Sequence, residues 1–209
     1  MVENGYFDHA RREVLPFLPK RFDKVVDVGG SSGGTLSAIR EVAGHARTIC
    51  LDADERSVQR ARAEGHEAIC CDLNSDLPDV FGDCDVVLLL DILEHLTDPW
   101  ALLSEVTRRL RPQTTVIVSL PNVRYWEVSL NLTFRGRWDL QDAGVLDRTH
   151  LRFFTRDTGA ALVRCGGLKV NQTVPKLGGG CRYRLINIFT LGAFKDFLSA
   201  QYLYVAVKS

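Results

Sequence analysis

Residues 23–34 constrain what this chain can fold into more than any other stretch. They run from Asp23 to Val28 and then into Gly29-Gly30-Ser31-Ser32-Gly33-Gly34. The β-branched run Val25-Val26-Asp27-Val28 breaks into a glycine- and serine-rich turn. Leu36, Ile39, Val42 and Ala43 then recur at helical spacing. Strand, tight turn, helix is the repeating unit of open α/β sheets, and its turn is where nucleotide-like ligands meet the strand ends. Glycines let the backbone approach a ligand closely, and free N–H groups at a helix start favour a carboxylate or phosphate. A glycine-rich turn without a ligand has the same local pattern, so the decision lies in the rest of the chain.

The unit repeats. Thr48 to Leu51 reads as a second strand ending at Asp52, with a helix from about Glu55 to Ala63 stopped by Gly65. Glu67 to Cys71 gives a third strand ending at Asp72. Asp85 to Leu90 is an unbroken apolar run, the mark of a strand buried on both faces. Asp98 suits an N-cap and Pro99 the first helical position, with Leu102, Leu103, Val106 and Leu110 as the buried stripe. Thr115 to Leu120 is a fifth strand. Residues 121–150 show no clean period and are rich in Trp, Phe and Arg, so they read as an insertion beside the active face. A helix over Thr155 to Val163 and a strand over Leu168 to Val174 follow. A glycine-rich break at 178–180, an apolar helical piece near Leu185 to Phe194 and a strand over Tyr202 to Val207 close the chain. Residues 6–18, with Phe7, Ala10, Val14 and Leu15 on one face, predict a short amphipathic helix before the first strand. The expected fold is α/β: a Rossmann-like, doubly wound, seven-stranded sheet. The last two strands leave room for an antiparallel pairing at its edge, and one domain over 1–209 accounts for the chain.

Charge and cysteine usage narrow the partners. Lys+Arg and Asp+Glu both number 26, so no basic field draws the chain to a large nucleic-acid footprint or an anionic membrane. No apolar run reaches the ~18 residues of a membrane span. The N-terminal residues carry no signal-peptide pattern. Six cysteines (Cys50, Cys70, Cys71, Cys84, Cys165, Cys181) form no Cys-x-x-Cys pair and mostly sit in apolar runs, which fits reduced thiols in the cytoplasm.

Asp27, Asp52 and Asp72 each close a strand. In a parallel sheet those ends share one edge, so the three acids face one crevice. Asp52 is placed to accept both hydroxyls of a ribose, and Asp72 an adenine amino group with the Leu73 N–H pairing to the ring. A dinucleotide fingerprint counted from Gly29 needs glycine where Ser31 stands, and it leaves Asp27 and Asp72 unexplained.

Val26 to Gly33, Asp52, Cys71-Asp72-Leu73, Asp91 to Leu96 and Leu110-Arg111-Pro112 together resemble the class I S-adenosylmethionine-dependent methyltransferases, over nearly the whole chain. The family's Asp-x-Gly-x-Gly-x-Gly is met at Asp27, Gly29 and Gly33 and differs at Ser31. Its last two strands form an antiparallel hairpin. The resemblance implies S-adenosylmethionine as cofactor. Asp27 and Gly29 would take its methionyl end, Asp52 the ribose, and Asp72 and Leu73 the adenine, with Gly30, Gly33 and Ala53 also among the cofactor-binding residues. The backbone around Asp91 would contact the amino-acid moiety. Tyr6 is a lid over the cofactor or, equally, a core aromatic. Leu120 to Trp126 and Leu146 to Thr155 more closely resemble MetW-like methyltransferases, whose substrates are poorly defined.

Glu94, His95 and His150 carry three readings. The imidazoles act as general base toward a hydroxyl or ammonium, the three side chains hold a divalent metal, or they simply fix a loop. The metal reading rests on the likeness of an acid-x-x-Glu-His, with a later His, to metal sites of some small-molecule and RNA-terminal methyltransferases. Arg135, Arg137, Arg148 and Arg152, with Trp126, Phe134 and Trp138, suit an anionic or planar substrate, or equally a solvated insertion packed by its own aromatics. The expected activity is methyl transfer to a small-molecule hydroxyl. A non-catalytic methyltransferase-fold partner of another biosynthetic enzyme is the competing expectation, and a homodimer or a partner enzyme is compatible with either.

Overall fold

The computed structural model describes residues 10–75, 77–178, 183 and 188–209. Its frame is one seven-stranded sheet: β1 (Lys24–Val28), β2 (Arg47–Asp52), β3 (Glu67–Cys70), β4 (Val86–Leu90), β5 (Thr115–Pro121), β6 (Leu168–Leu177) and β7 (Ser199–Lys208). Across the sheet the order is β3-β2-β1-β4-β5-β7-β6. The first five strands run parallel, and β7 lies antiparallel to both β5 and β6. The Rossmann-like fold with a C-terminal antiparallel hairpin is therefore what the chain adopts.

Helices α1 (Gly34–Val42), α2 (Glu55–Ala63), α3 (Pro99–Arg109), α4 (Trp126–Arg135), α5 (Arg156–Cys165) and the short α6 (Lys195–Leu198) complete the described elements, with two 3-10 turns, Arg12–Phe17 and Leu93–His95. Alternation along the strands sends successive side chains into two cores. Val26, Val28, Leu51, Val87, Leu89, Val116 and Val118 pack with α3 and α5. Val25, Leu36, Ile39, Val58, Leu88 and Ile117 fill the other face with α1 and α2. Asp98 caps α3 by accepting the Ala101 N–H at 3.0 Å, with Pro99 at the first helical position. No helix among the described residues is long and apolar enough to cross a membrane.

Three segments differ from the sequence reading. Where an amphipathic helix was expected over 6–18, the described part is the 3-10 turn Arg12–Phe17, because Pro16 cannot continue an α-helix. Tyr6 and Phe7 lie outside the described residues. The aperiodic stretch 121–150 contains the helix α4. Its apolar residues Trp126, Val128, Leu130, Leu132 and Phe134 alternate as in a strand, and only Val128 is buried. In the expected helical piece near 185–194, residues 184–187 lie outside the described residues. Ile188 and Phe189 are helical as expected, residues 190–194 are turns, with Leu191 and Gly192 at φ of 49° and 80°, and the short α6 starts at Lys195.

Candidate active site

The glycine turn sits at the C-terminal edge of β1, between β2 and β4. Gly29 and Gly33 have φ of 75° and 81°, and Ser31 takes φ 49°, so the serine adopts the left-handed conformation a glycine would. Gly29 and Gly30 donate to the Leu51 carbonyl at 2.7 and 3.2 Å, which pins the turn to β2. A Cβ on Gly33 would stand 2.6 Å from the His66 ring, and one on Gly30 2.9 Å from the Asp27 carboxyl carbon. His66 is itself a packing residue, held between Ser37 Oγ and Thr48 Oγ1.

The three strand-end acids have different surroundings. Asp27 is buried on β1 beside Cys50 and Leu88. Burial, then the charge of Asp52, pushes its pKa up to about 7, with Arg11 pulling the other way. Asp52 closes β2 and accepts the Ser31 N–H at 2.8 Å and the Asp54 N–H at 2.9 Å, one on each oxygen. Each oxygen keeps a lone pair for a further donor. Asp72 stands two residues beyond β3, exposed, its carboxylate accepting from Asn74 N–H at 2.9 Å. The Leu73 side chain enters the core. Cys50 is no reactive thiol: burial and the charge of Asp27 drive its pKa far up, and its Sγ–H points to the Ser31 carbonyl.

Asp91 follows β4 with φ 53°. Its carboxylate accepts from Ser119 Oγ at 2.7 Å, from Gln201 and from Arg11. Arg11 also donates to Glu13 at 2.7 Å and Gln201 at 2.8 Å, and Lys176 reaches Glu13 at 2.8 Å. These bonds hold Glu13 down to about 2, against its own burial. Arg11, Ser119 and Gln201 carry no motif in the sequence. They join Asp91 from 80, 28 and 110 residues away, and only the sheet order brings them together.

Beyond β4, the turn Leu93–His95 meets the end of the insertion. Leu151 and Arg152 donate their N–H groups to the Glu94 carbonyl at 2.8 and 3.0 Å. That clamp brings the His95 and His150 rings to 4.7 Å, nearly edge on face. Glu94 is wholly buried and neither carboxyl oxygen has a hydrogen-bond partner. Its burial, then the charge of Asp91, raises its pKa well above the usual carboxylate range. Burial, then the neighbouring His150, lowers the pKa of His95. The four arginines of the insertion do not converge on a common point. Arg137 pairs with Asp139 at 2.8 Å, Arg148 with Asp142 at 2.6 Å, Arg135 with Asn131 at 2.9 Å, and Arg152 with backbone carbonyls. Asn122, buried, anchors the insertion's start through bonds to the Asp196 and Ser199 carbonyls at 2.7 and 2.8 Å.

A sheet ordered 3-2-1-4-5-7-6 with a reversed seventh strand, a glycine turn after β1 and acids at the neighbouring strand ends defines a class I methyltransferase fold. Comparison with known proteins gives the same class. The methyltransferase domain family matches residues 4–173, and the chain belongs to that family. Over 125 residues, 58% of this chain, it is 35% identical to a probable S-adenosylmethionine-dependent methyltransferase of Mycolicibacterium smegmatis. The match covers 48% of that protein, so the chain spans about half the length of the curated relative. A possible histamine N-methyltransferase of Thermotoga maritima superposes with a TM-score of 0.68 at 16% identity, over 95% of this chain and 87% of its own. A putative methyltransferase from Haloferax volcanii, solved with its Trm112 activator, gives 0.65 at 21% identity over 94% and 87%. These two likenesses speak to the fold.

Proposed function

We propose that this chain transfers the methyl group of S-adenosylmethionine to a hydroxyl of a small molecule in cytoplasmic biosynthesis, the acceptor being sugar-, polysaccharide- or natural-product-related. The observation that carries the reading is the pair of imidazoles, His95 and His150, set 4.7 Å apart beside the strand ends where the cofactor is expected. The described residues fit the cofactor. A buried carboxylate at Asp27 suits an ammonium, and Gly29, Gly30 and Gly33 bring backbone close to the methionyl end. Asp52, with Ala53, has lone pairs left for ribose hydroxyls, and Asp72 with the Leu73 N–H suits adenine. The Asp91 carboxylate is held by Ser119, Gln201 and Arg11, and the backbone around it would contact the amino-acid moiety. Tyr6, outside the described residues, remains a candidate lid.

The cofactor supplies an electrophilic methyl on a sulfonium. The chain's part is to hold the acceptor oxygen in line with it and to see the hydroxyl proton away. A hydroxyl, unlike a neutral amine, is a poor nucleophile until that proton is lost, so two imidazoles at the acceptor's position favour oxygen. The segments that resemble MetW-like methyltransferases, 120–126 and 146–155, border this side and supply His150.

Methyl-labelled cofactor offered to parallel sets of phenols, catechols, sugars and amines tests the reading. The label goes to oxygen, and Asp52→Ala and His150→Ala each cut the rate at least 100-fold. Transfer to amines alone, or transfer undiminished in both variants, overturns it. A second reading, a partner-dependent or non-catalytic role as homodimer or companion of another enzyme, draws on the apolar side chains left in solvent. Phe134, Phe189 and Leu191 are 78%, 84% and 97% exposed. Tight S-adenosylhomocysteine binding with no methylation of any acceptor would favour it.

A further inference from the structure

We infer that Glu94, His95 and His150 form a binding site for one first-row transition-metal dication, which presents its open positions to two neighbouring oxygens of the acceptor. The inference deepens the proposed function, rests on it only for the acceptor, and makes the two imidazoles ligands, with the hydroxyl proton passing to water and not to them.

The three side chains each offer a ligand atom, and these atoms lie within 4.8 Å of one another. Ligands about 2.1 Å from a common tetrahedral ion stand about 3.4 Å apart, so closure by up to roughly 1.4 Å, within reach of side-chain rotation, completes the set. Glu94 is the strongest pointer. Both of its oxygens are buried without a donor, and an unpaired buried carboxylate is costly to keep. A cation is the partner this position lacks among the described residues.

The hydrogen bonds around the rings prepare them as ligands. Thr149 Oγ1 donates to Asp147 Oδ1 at 2.6 Å, so at 3.1 Å it accepts from His95 Nδ1–H. His150 Nδ1 faces the Val145 carbonyl at 3.2 Å, a group that can only accept. Each imidazole is thereby fixed with its proton on Nδ1 and its lone pair on Nε2. An Nδ1–H bound to a carboxylate or carbonyl is the arrangement that orients metal-ligating histidines. The N–H groups of Leu151 and Arg152 on the Glu94 carbonyl hold the two halves of the site in register. A structural reading accounts for the ring contact but not for a buried carboxylate with no donor.

The donor set names the ion class. Two imidazoles and one carboxylate suit zinc, cobalt, manganese or iron rather than magnesium or calcium, which prefer oxygen throughout. Three protein ligands leave coordination positions open, the pattern of catalytic rather than structural sites. An acceptor with two adjacent oxygens, such as a catechol, a cis-diol or an α-hydroxy acid, fills them. The bound hydroxyl then ionises more readily, its proton passing to water. Its oxygen forms the new C–O bond as the methyl C–S bond breaks, and neutral S-adenosylhomocysteine leaves.

Cobalt(II) titration of the chelator-treated full chain, followed by its visible absorption, tests the site, with zinc competition as a second readout. The expected result is one ion per chain. Binding is lost in His150→Ala and Glu94→Gln, and weakened 10- to 100-fold in Asp147→Ala, which removes the half-buried carboxylate that holds Thr149 behind His95. S-Adenosylhomocysteine binding, measured on the same samples, reports that each variant is folded and that the cofactor site is intact. No cobalt bound at millimolar concentration, or equal binding by wild type, His150→Ala and Glu94→Gln, overturns the inference. S-Adenosylhomocysteine bound without cobalt removes the metal and leaves methyl transfer standing. Cobalt bound without S-adenosylhomocysteine removes the methyl-transfer reading instead.

Discussion

Asp27 ties the sequence to the chemistry most directly at the level of single residues. A buried carboxylate raised to about 7 binds its proton more tightly folded than unfolded. Its contribution to stability is therefore complete below pH 4 and is lost as pH rises to about 7. Urea unfolding of the chain without cofactor should show that decline between pH 5 and 7, and Asp27→Asn should flatten it. An ammonium bound beside the carboxylate reverses the preference. S-Adenosylhomocysteine affinity is then expected to rise through pH 7 with release of a proton, measurable by calorimetry in buffers of different ionisation enthalpy. Equal pH profiles for wild type and Asp27→Asn would contradict this account. Gly33 makes a second residue-scale case. Alanine there must hold φ 81° and place its Cβ 2.6 Å from the His66 ring. A loss of roughly 2 kcal/mol is expected in chemical denaturation. Ser31→Gly, which removes a side chain from the left-handed region, should change stability by less than about 1 kcal/mol.

Among the elements, what the sequence disclosed depended on how local the cause was. Helix α2 ends where the reading placed it, and the Asp98-Pro99 start of α3 is as expected, because caps and apolar stripes act within one turn. Helix α4 was hidden because its apolar residues follow no clean helical period. Most of its apolar groups stay in solvent, so burial never imposed the 3.6-residue period. The Arg11–Asp91–Gln201 network and the Asp147–Thr149–His95 relay were equally illegible. In each, the contact that closes the network joins residues more than fifty positions apart, which no local pattern reveals. The orphaned oxygens of Glu94 were also beyond reach, since His95 and Glu94 read alike on a surface turn or a buried one. Thr107 on α3 offers an element-scale prediction. Its hydroxyl is buried with no partner. Thr107→Val keeps the shape and removes that cost, so the chain should gain about 1 kcal/mol in urea unfolding. A loss of stability would mean that the hydroxyl is satisfied after all.

For the whole molecule, one consequence of topology governs the rest. Five parallel strands bring the glycine turn, Asp27, Asp52, Asp72 and the Glu94-His95 turn to one edge, although they span almost seventy residues of chain. The antiparallel β7 then delivers Gln201 to Asp91, and the clamp on the Glu94 carbonyl delivers His150. On the proposed reading, cofactor and acceptor sides come from opposite halves of the sheet and meet where β1 and β4 lie side by side. The acids were legible because a strand-end position survives in sequence, whereas their different environments were not, since burial of Asp27 and exposure of Asp72 come from packing. The central claim is that this edge binds S-adenosylmethionine through Asp52. Calorimetric titration of the full chain with S-adenosylhomocysteine tests it most directly. The account predicts one site per chain with affinity at least 30-fold weaker in Asp52→Ala. No binding by wild type, or the same affinity in both proteins, would contradict it.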